Sequence, residues 1–179
     1  MENELTYIQI KEFFNDIQAW ENDIIDSKIL RKADLENIVN LIIDKLNSLD
    51  GQGRYIASHL ILTFKIDSAK DRLIQRILDN DTMNNNGTMT YALGHLDCRN
   101  NLVDVFKILA TQSYESKCHA YNILCEQQFE FTENDIQEMK TILKWVELNK
   151  EGNQIFDLET LEMIQEAYEG FELYLRRNG

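Results

Sequence analysis

The side chains able to bind a metal or attack a substrate are few, and their spacing suits packing better than chemistry. The histidines are His59, His95 and His119. A helical metal site wants two or three ligands at helical spacing, with cysteine or carboxylate support. His119 adjoins Cys118, and neighbours in sequence point about 100° apart on a helix. His59 and His95 each precede a leucine near the expected end of a helix, where an imidazole can bond to terminal carbonyls. Structural roles are expected for all three, with no metal and no cofactor.

The cysteines, Cys98, Cys118 and Cys125, are odd in number and form no C-x-x-C pair. A disulfide framework is not expected, and a reducing compartment fits. Cys118 and Cys125 stand seven apart beside Tyr114 and Tyr121, which reads as two small buried apolar groups. A nucleophilic thiol would want a base and an electropositive setting. Cys98, in Leu96-Asp97-Cys98-Arg99, is expected in inter-helix packing, with Asp97 as a turn or cap residue.

Carboxylate pairs at i, i+4 occur at Glu12/Asp16 and Glu162/Glu166. A ferritin-like di-metal site needs Glu-x-x-His repeated on facing helices; here Glu115 precedes His119 by four. Phosphate-cradling glycine loops and a G-x-S-x-G elbow are missing from the sequence, and each would be needed for its chemistry. No catalysis is expected.

Charge is the strongest remaining signal. The net charge is -13, and it is unevenly spread. Residues 1–50 hold 11 acids and 5 bases, residues 51–125 hold 7 and 8, and residues 126–175 hold 13 and 3. The C-terminal third is therefore an acidic field, which repels phosphate backbones and anionic membranes and attracts basic proteins. Glu159, Glu162, Glu166 and Glu169 step by 3, 4 and 3, so they line one helical face nearly opposite Leu161, Ile164, Tyr168, Phe171 and Leu175. Glu126, Glu130, Glu133, Asp135 and Glu138 form a second cluster around the preceding loop. A solvated face serving solubility accounts for such rows; a docking surface for a basic partner is the functional alternative.

The elements that must hold these rows read as helices throughout. Apolar positions recur at steps of three and four, without a convincing alternating strand pattern. Tyr7, Ile10, Phe14 and Ile17 mark a first helix, and Leu35, Ile38, Ile42, Leu46 and Leu49 a second, ended by Asp50-Gly51-Gln52-Gly53. Tyr55–Phe64 is a third, and Asp67 or Ser68 caps a fourth that turns Leu73, Ile74, Ile77 and Leu78 inward. The Asn- and Asp-rich segment 79–87 is a loop. Thr88–Leu96 and Asn101–Ala110 are expected as one pair, Ser113–Gln127 and Glu133–Leu148 as the next, and Leu158–Arg176 as a last helix. Thr132 and Asp135 resemble a capping box. Proline, which would interrupt helices, is absent.

The pattern also repeats. Gly51 and His59-Leu60 return 36 residues later as Gly87 and His95-Leu96, and Tyr91-Ala92 with Leu96 returns 28 residues later as His119-Ala120 with Leu124. Helix pairs too small to bury their own apolar faces bury them on neighbours. The expected fold is all-α: about eight or nine helices in stacked antiparallel hairpins, as one domain over 1–179. Within it, 1–50 is an N-terminal helix pair, 51–148 the repeats and 149–179 the acidic last helix. A non-repeating helical bundle is the competing architecture.

Gly87-Thr-Met-Thr-Tyr-Ala-Leu-Gly-His-Leu-Asp-Cys98, Leu102–Leu109 and Tyr114–Ala120 carry a resemblance. Together they resemble short HEAT-like proteins that serve bacteria as immunity proteins against polymorphic or contact-dependent toxins. The resemblance covers residues 51–148 and implies a right-handed α-solenoid, a cognate toxin as partner, and action by binding. An acidic inhibitor suits a basic toxin, of which nucleases are one kind; neither nucleic acid nor membrane is expected as a partner. A general helical-repeat adaptor is the alternative, and a helical-repeat glycosylase, which would need a basic groove, a third. No apolar run approaches the roughly 20 residues that cross a bilayer, and the acidic start lacks a secretion signal, so a cytoplasmic location is expected.

Overall fold

A computed structural model describes residues 4–5, 29–30, 35–47, 51–83, 85–151 and 156–178. Among them are eight helices: α1 (Leu35–Leu46), α2 (Gly51–Phe64), α3 (Lys70–Leu78), α4 (Gly87–Leu93), α5 (Leu102–Thr111), α6 (Tyr114–Glu126), α7 (Glu133–Asn149) and α8 (Leu158–Asn178). Two fragments of two residues, β1 (Glu4–Leu5) and β2 (Ile29–Leu30), pair in parallel with Glu4 opposite Ile29. The fold is all-helical in class, as the periodicity implies. The helix expected around Tyr7–Trp20 lies outside the described residues. The backbone divides into two compact units, Met1–Leu73 and Ile74–Gly179.

In the first unit α1 packs on α2. Ile42 and Leu46 of α1, and Ile56, Ala57, Leu60 and Ile61 of α2, are almost wholly buried. Gly51 and Gly53 do not close a turn after α1; they lie in the first turn of α2. The end of α2 has its own cause. Lys65 adopts φ 48°, and the Ile66 N–H then donates to the Ile61 carbonyl at 3.1 Å, the left-handed bond pattern that terminates helices. Asp67–Ala69 is a single 3₁₀ turn before α3.

The second unit is organised around α5, whose Leu102, Val105, Phe106, Ile108, Leu109 and Ala110 are all buried. It packs on α6, α7 and α8; α4 packs on α6, α6 on α8, and α7 on α8. The closest sequential pairs are thus α5/α6 and α7/α8, one helix out of step with the pairing expected from sequence. Connector length explains the α5/α6 pair. Only Gln112 and Ser113 separate α5 from α6, and a short connector forces antiparallel neighbours. Residues 94–101 and 127–132 are longer and release their flanking helices to other partners.

Buried polar side chains clamp α4 at both ends. Asn86, fully buried, donates from Nδ2 to the Ile77 carbonyl at 2.9 Å and to Gln112 Oε1 at 2.7 Å. Its Oδ1 accepts from the hydroxyls of Ser113 and Ser116. At the other end Gln127 donates to the carbonyls of Gly94 and Leu96 at 3.0 and 3.1 Å and accepts the Cys98 N–H. Buried polar groups must be paired, so these bonds fix where the ends of α4 meet α6.

The two repeat offsets hold in the packing. Gly51 and Gly87 each open a helix. Tyr55 stacks on His59 with ring centroids 4.4 Å apart, and Tyr91 on His95 at 4.9 Å. Both tyrosines are 45% exposed, and Leu60 and Leu96 are both buried. At the shorter offset Ala92 matches Ala120 and Leu96 matches Leu124, all buried. Among the described residues no helix is long and apolar enough to cross a membrane.

Candidate functional site

The charged rows depend on two helix starts. At α8, the Asp157 carboxylate accepts the Thr160 N–H at 2.8 Å, and bonding from the Thr160 side chain first, and from its N–H second, holds the Asp157 carboxyl below its ordinary range. At α7, the carboxylate of Asp135 accepts both the backbone N–H and the hydroxyl of Thr132, at 2.7 and 2.8 Å. The capping box is present, with aspartate in the glutamate position. Asp135 is therefore engaged in holding α7, whereas Glu133 and Glu138 stand exposed on its first turns.

On α8 the expected amphipathicity is realised. Ile164 and Tyr168 are buried, and Glu159, Glu162, Glu166 and Glu169 are all exposed. Between the two rows lies a surface that the sequence reading did not single out. Phe129 and Phe131 set their rings edge-on against Phe171, at 5.7 and 5.3 Å between centroids, and Phe131 also meets Tyr174 at 5.7 Å. The extended segment 127–132 alternates, so Glu130 between the two phenylalanines points to solvent. Tyr121 of α6 donates its hydroxyl to Glu166 Oε2 at 2.7 Å, and that bond, with some burial, drives its phenol pKa far up.

Together these side chains line an open groove of about 620 Å³. Its floor along α8 is Ala167, Gly170 and Phe171, and among the described residues its only ionised lining group is Glu166. At about 100° per residue, Gly170 and Tyr174 fall between the glutamate row and the buried row. The acids nearby differ in their engagement. Glu130 faces Arg99 at 3.7 Å and Glu172 faces Arg176 at 3.1 Å, while Glu169 accepts from Gln165 at 2.6 Å. Glu126, at the end of α6, is exposed.

Elsewhere the chemistry-capable residues have settled. His119 packs on Tyr91 at 5.3 Å, and His95 on the same ring; burial lowers the pKa of His59. Cys98 is buried and its thiol points to the Leu93 carbonyl, as packing implies. Cys125, by contrast, is exposed and Cys118 half-buried. The face α6 buries is Ser116, Lys117, Ala120, Ile123 and Leu124, so a seven-residue spacing put both cysteines on one face, but that face is not the core. Asp97 makes the expected turn, accepting the Arg99 N–H at 3.1 Å. Among the described residues no group of three or more His, Cys, Asp or Glu could hold a metal ion.

No family model, curated protein or solved structure matches this chain. What the site offers is geometry: an aromatic groove with an acidic margin between α6, segment 127–132 and α8. Its signals in the sequence were Phe129-Glu130-Phe131, where apolar and acidic residues alternate outside any helix, and Gly170 in the interior of a helix. Phe171 had been assigned to the packing row alone.

Proposed function

We propose that this chain is an immunity protein, one that binds a cognate bacterial toxin domain in the cytoplasm and neutralises it by covering its active or substrate-binding surface, without catalysis. The carrying observation is the exposed row Glu159, Glu162, Glu166 and Glu169 on a single face of α8. A row of like charge on a packed helix gives selectivity for a basic surface and accelerates encounter. The choice of a toxin as the basic partner comes from the HEAT-like resemblance of residues 51–148, and a stacked-hairpin solenoid belongs to the same reading. Nucleic-acid-binding toxins must be basic to hold phosphates, so an acidic helix face competes for the same surface.

Co-expression with the product of the adjacent gene, as the proposed toxin, tests the proposal directly. Growth should be rescued, and the two proteins should co-purify at low salt. Replacing Glu159 and Glu162 by lysine should slow association by about ten-fold and flatten its salt dependence. A general adaptor that docks partners on another face would lose nothing from that double replacement. Absence of both binding and rescue with the unaltered chain removes the immunity reading.

A further inference from the structure

Gly170 is difficult to explain from within the chain. It lies in the interior of the 21-residue α8, where glycine is less favourable than alanine because it fixes a more flexible backbone. A Cβ built there would meet nothing within 4 Å among the described residues, so internal packing does not exclude a side chain. The bare backbone opens instead on the groove bounded by Tyr121, Phe129, Phe131, Phe171 and Tyr174. Glycine at such a place admits close approach by something from outside.

Two further features define what approaches. Tyr174 is 59% exposed, although it stacks on Phe131, so the groove presents aromatic rings to solvent. Glu166 is its single ionised lining group among the described residues, and Glu169 and Glu162 continue the row along the same helix. Among the described residues no lysine or arginine lines it. An apolar cleft beside a one-signed margin fits a segment whose apolar anchor is flanked by the opposite charge.

We propose that the Gly170 groove seats an aromatic or leucine anchor of a partner polypeptide, with lysines or arginines beside that anchor meeting Glu162, Glu166 and Glu169. The anchor would lie against the α8 backbone and the edges of Phe171 and Tyr174, and its basic neighbours would reach the glutamates. The inference deepens the reading of the chain as a protein-binding inhibitor and rests on it for the biological occupant.

The test is selection of a short random peptide display library against the full chain, followed by affinities of the enriched peptides for Gly170→Leu and Tyr174→Ala. Enriched peptides should carry an aromatic residue or leucine beside lysine or arginine. Each variant should weaken them about ten-fold or more, with helix content unchanged. Replacement of the peptide anchor by serine, or of its basic residues by glutamate, should have a similar effect. Enrichment of neutral or acidic peptides, affinity for both variants undiminished from that of the unaltered chain, or no enrichment at all would overturn the groove. So would concentration-dependent self-association that Gly170→Leu abolishes, since the occupant would then be a second copy. Toxin rescue that survives Gly170→Leu and Tyr174→Ala with undiminished affinity would discard the groove and leave the immunity reading standing; loss of rescue by the unaltered chain, with basic apolar peptides still bound, would do the reverse.

Discussion

At the scale of single residues, Lys117 is the side chain whose environment has the clearest consequence. It is 1% exposed, with Nζ 5.0 Å from the centre of the Phe156 ring. Burial lowers its pKa to about 8, against the pull of Asp157. Between that value and the ordinary 10.5, the unfolded chain binds more protons than the folded one, so stability rises with pH across the window. The effect is at most about 1.4 kcal/mol per pH unit. The melting temperature of the native chain should therefore rise relative to that of Lys117→Met between about pH 8 and about pH 10.5. Tyrosine ionisation is common to both and cancels. A constant difference would show that the ammonium is not desolvated. Asn86 is the second such residue. Asn86→Ala strips partners from Gln112, Ser113, Ser116 and the Ile77 carbonyl, and should cost about 2–3 kcal/mol in urea unfolding. Neither role was legible beforehand. Lys117 reads as a solvated charge until α6 is known to bury it, and Asn86 lies in a segment whose composition says only loop.

At the scale of elements, much more was legible, because helix periodicity is local. The spans of α5 to α8 agree with their apolar spacing to within a residue or two, and the capping box of α7 follows from Thr132 and Asp135 alone. Thr132→Ala should lower stability by about 1 kcal/mol, read from thermal or urea unfolding. Gly170→Ala should do the opposite, raising it by about 0.5–1 kcal/mol, because α8 leaves the Cβ unopposed. A destabilised Gly170→Ala would mean that the helix needs the glycine for itself. Pairing of elements was less legible. The spacing of apolar residues says that a helix has a buried face, not which neighbour covers it: the two-residue connector makes α5/α6 a pair in place of α4/α5, while α7 and α8 pair across a longer connector than the one between α6 and α7. The start of α2 was also misplaced. Gly51 and Gly53 resemble a turn, yet burial of the following Ile56, Ala57 and Leu60 carries the helix back through them.

For the whole molecule, the distribution of charge was legible from composition and the surface it decorates was not. Counting acids locates the field in residues 126–175; only the folded chain separates Asp135, held in a cap, and Glu130, facing Arg99, from the open row on α8. The aromatic groove needs α6, segment 127–132 and α8 together, so no single stretch of sequence displays it. Hydrogen–deuterium exchange of the chain alone and with the product of the adjacent gene, the proposed toxin, tests the docking face most directly. Protection on binding should concentrate in residues 121–131 and along 159–174, and should disappear with the Glu159→Lys, Glu162→Lys double variant at moderate salt. Protection confined to other helices, with those two segments unchanged, would contradict docking on α8.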